Sequence, residues 1–85
     1  MQNGFMIGLI DAVQKDTKME RAFAEPTAVD FAVDFHQNYG GLAPEESREL
    51  VEQLIDEYMF GENVTKFLSD PENVKLLDKA GSTIQ

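Results

Sequence analysis

Apolar residues recur at helical spacing through most of this chain. Met6, Ile10 and Val13, with Phe5 and Leu9 beside them, predict a first helix running to about Lys15. Asn3 stands where an N-cap belongs, and Asp11 and Lys15 form a favourable i,i+4 pair. Gly8 inside this segment costs about 1 kcal/mol relative to alanine, so either close packing compensates or the helix is weaker there. Thr17-Lys18-Met19-Glu20 has the form of a capping box that restarts or continues the helix through Phe23, and Pro26 is expected to interrupt it.

Residues 28 to 35 repeat Ala-Val-Asp-Phe in tandem and fit two patterns. As a strand, Val29, Phe31, Val33 and Phe35 alternate with Ala32 and the aspartates. As a helix, the four-residue period stacks Phe31, Phe35 and Tyr39 on one ridge and sets Asp30, Asp34 and Asn38 on another. Thr27 then serves as N-cap and Gly40-Gly41 as the stop. Helix is the preferred reading, because a lone strand has no evident partner elsewhere in the chain.

The strongest element follows, a helix over residues 44 to 60. Pro44 occupies its first position, Glu45 and Glu46 lie in the positive first turn, and Gly61 stands just past the end. Leu50, Val51, Leu54, Ile55 and Tyr58 make one apolar face. Further on, Glu62-Asn63-Val64 and Glu72-Asn73-Val74 open two copies of a short helical motif, too few for a solenoid. Ser69 or Asp70 caps the second copy and Pro71 enters its first turn. Gly81 should end that helix and leave residues 82–85 as a frayed tail. The predicted fold is all-α, a compact bundle of five or six short helices, with residues 1–85 forming a single acidic helical domain.

Composition narrows the function classes. The 85 residues contain no cysteine, which excludes disulfides, thiolate zinc sites and cysteine nucleophiles. The apolar run Phe5 to Ile10 lacks a preceding basic region and is far shorter than the roughly 20 residues of a membrane span, so a cytoplasmic protein is expected. Of the net charge of −9, residues 30–62 hold −8, residues 1–29 hold −1 and residues 63–85 sum to zero. Such a surface repels nucleic-acid phosphates and anionic lipid and favours a basic partner. The bland alternative is that acidity simply keeps a small protein soluble.

Glu45, Glu49, Glu52 and Asp56 are the candidate site. At 100 degrees per residue they form a narrow stripe opposite the apolar face. They span about 16 Å of helix with i,i+4 neighbours about 6 Å apart, a spacing like that of successive phosphates on a nucleic-acid strand. The competing reading is an ordinary solvated helix face. Arg48 is placed to pair with Glu45 and Glu52, each pair worth a few tenths of a kcal/mol.

Other chemistry finds little support. His36, the single histidine, sits near a helix end where imidazolium suits the dipole, and it has no companion at metal-ligand spacing. Asp34 to Glu45 has the length of a calcium loop but carries Tyr39 where glycine is required. The three serines lie in no nucleophile context and no phosphate-binding glycine loop is present. No catalytic, metal-binding or cofactor-binding residue is assigned, and an enzyme is not expected. Asn63-Val64-Thr65 is formally a glycosylation sequon but is better read as a helix start, and Gly4 to Gly8 means dimerisation only inside a long apolar span. A helix, glycine turn and second helix over residues 53–70 carry only Lys66 where a DNA reader wants positive charge.

Two functional readings follow. The first is a stoichiometric inhibitor or adaptor of a basic, nucleic-acid-handling protein, working through the acidic stripe as a DNA mimic. This is an analogy of size and charge with small viral accessory proteins. The second is a homo-oligomeric structural or assembly component. It draws on Phe5, Met6, Ile7, Leu9 and Ile10, too continuous for a one-sided helix, and on Phe60, which points to the acidic side of its own helix.

Overall fold

The computed structural model describes residues 4–39 and 43–84, which form five helices. These are α1 (Gly4–Thr17), α2 (Arg21–Tyr39), α3 (Pro44–Glu57), α4 (Glu62–Phe67) and α5 (Pro71–Ile84). No strand occurs among the described residues. The expected cap at Asn3 and the expected stop at Gly40-Gly41 lie outside them.

The tandem repeat is helical. The buried residues of α2 are Ala24, Ala28, Phe31, Ala32 and Phe35, a helical period and not the alternation a strand would impose. Asp30 is exposed and Asp34 half-buried on the other side. α2 is the central element, packed most extensively on α5 and also on α1 and α3, while α4 rests on α1. Buried residues from all five helices join in one core, with Phe31, Phe35, Leu9, Ile10 and Leu77 among its largest fully enclosed side chains. The radius of gyration is 11.5 Å, close to the roughly 12 Å expected of a folded chain this long.

Several boundaries differ from expectation, each for a physical reason. α1 runs on to Thr17, and Thr17 closes it instead of capping a new helix. Its hydroxyl donates to the Val13 carbonyl at 2.8 Å and accepts the Met19 N–H at 3.2 Å. Lys18 has φ 63, and its N–H bonds the Gln14 carbonyl, the one-bond left-handed helix stop. α2 then begins at Arg21 and continues through Pro26. The ring removes only the bond to the Ala22 carbonyl, and both residues lie on the exposed side of the helix. Thr27 is accordingly mid-helix, donating to the Phe23 carbonyl at 2.8 Å.

α3 starts at Pro44 as expected, but stops three residues short of 60. Met59 takes φ 61, its N–H bonds the Asp56 carbonyl, and the Phe60 N–H bonds the Ile55 carbonyl, a Schellman stop built on methionine. This turn swings Phe60 off the acidic side and into the core. There it is 8% exposed and packs on Phe31 with ring centroids 5.1 Å apart. Gly61 precedes α4 instead of ending α3.

Asp70 caps α5 as predicted, its carboxylate accepting the Glu72 N–H at 3.0 Å. Gly81 does not end that helix, however. α5 extends to Ile84, so residues 82–84 belong to the helix and not to a frayed tail, and Gln85 lies outside the described residues.

Candidate functional site

The acidic stripe sits on a helix held at both ends. The Ala43 N–H donates to Glu46 Oε1 at 3.0 Å, and the Ser47 N–H and hydroxyl both reach the Ala43 carbonyl, closing the first turn. At the other end the Schellman turn and the ring contacts of Tyr58 and Phe60 with Phe31 anchor α3 to α2. Val51, Leu54 and Ile55 are buried, with Leu50 and Tyr58 partly so. The apolar face therefore points inward as the periodicity requires, and the opposite face is turned to solvent.

Glu45, Glu49, Glu52 and Asp56 are all exposed on that outer face. Glu46 and Glu57 are exposed as well, in a second row about 100 degrees round the helix, the angle between adjacent residues. Six carboxylates thus share one short helix. Among the described residues, the ion pairs within 4 Å are Arg21–Asp11, Arg21–Glu25, His36–Asp78 and Lys75–Glu72. None lies on α3. Arg48 does not form its expected pairs with Glu45 and Glu52, and Asp11 turns from Lys15 to Arg21 on α2.

The remaining acids of the 30–62 segment are distributed differently. Asp34 is half-buried and accepts a hydrogen bond from the Tyr58 hydroxyl. Burial first, then that bond and the negative charge of Asp34, Asp30 and Glu57, push Tyr58 well above the ordinary tyrosine range. Tyr58 is therefore a fixed donor, locking α3 to α2. Glu62 lies in the first turn of α4, exposed.

Two polar contacts join elements far apart in sequence. His36 Nδ1 lies 2.8 Å from Asp78 Oδ1, tying α2 to α5. Asp16, at the end of α1, accepts four hydrogen bonds at the start of α4. They come from the N–H groups of Gly61, Asn63 and Val64 and from the Asn63 amide, all at 2.8–2.9 Å. Nothing local in the sequence marks Asp16, because its partners stand 45 to 48 residues away. Among the described residues no group of three or more His, Asp or Glu side chains is arranged to hold a metal ion. No described helix is long and apolar enough to cross a membrane.

Most of the N-terminal apolar run is covered within the chain. Met6, Leu9 and Ile10 are buried, and Phe5 packs on Phe67 with centroids 5.3 Å apart. Ile7, 43% exposed, is the member of that run left most open. Comparisons of the chain with protein-family profiles, with curated proteins and with solved structures found no match.

Proposed function

We propose that this protein acts stoichiometrically in the cytoplasm, presenting the outer face of α3 to a basic, nucleic-acid-handling protein as an inhibitor or adaptor. The observation that carries the reading is the exposure of Glu45, Glu49, Glu52 and Asp56, with no ion pair on α3 among the described residues. Like charges at i,i+3 and i,i+4 oppose helix formation by a few tenths of a kcal/mol each. Stability would favour lysine or glutamine at several of these positions, so the stripe is better explained by a partner than by the fold. Helical carboxylates spaced about 6 Å apart suit a groove that otherwise holds nucleic-acid phosphates.

The test is capture on the immobilised protein from a nucleic-acid-depleted lysate at low and high salt, alongside a Glu49→Lys, Asp56→Lys double variant. The expected result is salt-sensitive retention of a nucleic-acid-binding protein that duplex DNA displaces and the variant fails to retain. Retention that survives both the variant and high salt would refute the reading.

A further inference from the structure

On the flank of α3 that carries Arg48, a cleft of about 340 Å³ opens between the end of α2, α3, α4 and the start of α5. That size falls at the lower end of the roughly 300–1,000 Å³ of small-molecule sites. Val51, Ile55, Leu68 and Val74 supply its apolar wall. Three wall hydroxyls are already engaged with the backbone. Ser47 donates to the Ala43 carbonyl, Thr65 to Gly61 and Ser69 to Lys66, at 3.0, 3.0 and 2.6 Å.

The remaining donors of the lining suit an anion. Arg48, the single cation of the 30–62 segment, has no hydrogen bond or ion pair among the described residues. The Tyr39 hydroxyl likewise has no hydrogen bond among them, its ring being held on Phe35 with centroids 4.9 Å apart. Lys75 reaches only the exposed Glu72, at 3.6 Å. One carboxylate, Glu52, lines the cleft with these three donors. With Glu72 already opposite Lys75, Arg48 is the cation of the cleft that has no ion-pair partner among the described residues.

We propose that the cleft binds a small amphiphilic carboxylate, its aliphatic chain against Val51, Ile55, Leu68 and Val74 and its head on Arg48, supported by Tyr39 and Lys75. The tail follows from a wall whose hydroxyl protons are already used. The sign of the head follows from the donors left free, since a neutral head would leave the guanidinium without a charged acceptor. A cationic head would meet two like charges. The volume suits one small molecule.

The test is an NMR titration of the uniformly ¹⁵N-labelled full chain with decanoate below its micelle concentration. Decanol and decyltrimethylammonium serve as probes of matched tail, and Arg48→Gln is titrated in parallel. Arg48 is exposed, so the variant keeps the core intact. Saturable shifts at Val51, Ile55, Leu68 and Val74 are expected with decanoate. Its affinity should exceed that for decanol and fall about tenfold in Arg48→Gln, the loss of a charge-assisted hydrogen bond, while decanol binds both proteins alike. Any of four results overturns the proposal: no saturable shift, shifts scattered over the surface, equal binding of the cationic probe, or indifference to Arg48→Gln. Broadening of the same residues with protein concentration alone would also overturn it, by giving the cleft to a second copy of the chain.

Discussion

Gly81 lies so close to Ala32 that a Cβ atom on Gly81 would stand 2.2 Å from the Ala32 carbonyl oxygen and 2.7 Å from the His36 Cβ. The glycine is what lets α5 settle onto α2, the most extensive helix pair in the molecule. Alanine favours a helix interior by about 1 kcal/mol over glycine, but the obstacle here is backbone, which cannot turn aside. Overpacking of about 1–3 kcal/mol wins. Gly81→Ala should therefore lower stability in urea unfolding by roughly 1 kcal/mol, net of the helix gain. Gly8→Ala provides the contrast, since its Cβ would meet only the far edge of the Phe67 ring at 2.9 Å. That ring can shift, and the helix gain offsets the contact, so Gly8→Ala should stay within about 0.5 kcal/mol of the parent. A stabilised Gly81→Ala protein would contradict the packing described.

Asp16 should control the stability of the α1–α4 junction in a pH-dependent way. Burial opposes its ionisation, yet the hydrogen bonds from Val64, Asn63 and Gly61 outweigh that and hold its pKa below the ordinary aspartate value. A depressed carboxylate contributes stability above its unfolded pKa of about 3.9 and loses it as the pH falls through the folded value. Asp16→Ala should cost about 2 kcal/mol at neutral pH, the loss of a strong cap. The difference from the parent should shrink steadily below about pH 4. A gap that stays constant down to pH 2 would show that the carboxylate charge is not what matters.

Met59 occupies a left-handed conformation at φ 61 while 83% exposed, so its side chain has little packing to lose. Left-handed backbone costs a residue bearing a Cβ roughly 1–2 kcal/mol, and glycine avoids that penalty. Met59→Gly should stabilise the protein by about 1 kcal/mol, equivalent to a rise in Tm of roughly 4–8 °C for a domain of this size. Differential scanning calorimetry decides it. A lower Tm would mean that the methionine makes a contact the fold needs.

Charge reversal on the stripe should separate stability from partner binding. Glu49 has Glu45 and Glu52 at i−4 and i+3, both acidic. Glu49→Lys converts two repulsions into two attractions and should stabilise the isolated protein by about 0.5–1 kcal/mol at low salt. Added salt should narrow the gain, because exposed pairs are screened. Urea unfolding at two ionic strengths tests this. A destabilised variant would mean that Glu49 supports the fold, and the case for the stripe as a binding face would weaken.

Much of the architecture is local and legible residue by residue. The periodicity of Met6, Ile10 and Val13, the Pro44 start with Glu45 and Glu46, and the Asp70-Pro71 cap each depend on groups within about two helical turns. The orientation of the acidic stripe is legible for the same reason: burying Val51, Leu54 and Ile55 obliges Glu45, Glu49, Glu52 and Asp56 to face outward.

The local meaning of glycine and proline is overruled at a distance. Gly81 looks like a stop until Ala32 of α2 lies against it, and Pro26 looks like a break until buried Ala24 and Ala28 hold the helix on both sides. Phe60 changes from a surface residue to a core residue because a left-handed Met59 ends α3 early. The four-bond cap at Asp16 and the cleft beside Arg48 exist only once α1, α3, α4 and α5 have docked. Local periodicity and end signals decide which segments are helices, since those hydrogen bonds close within four residues. Only the packed chain decides which side chains meet across 40 or more residues, because that depends on the whole backbone path.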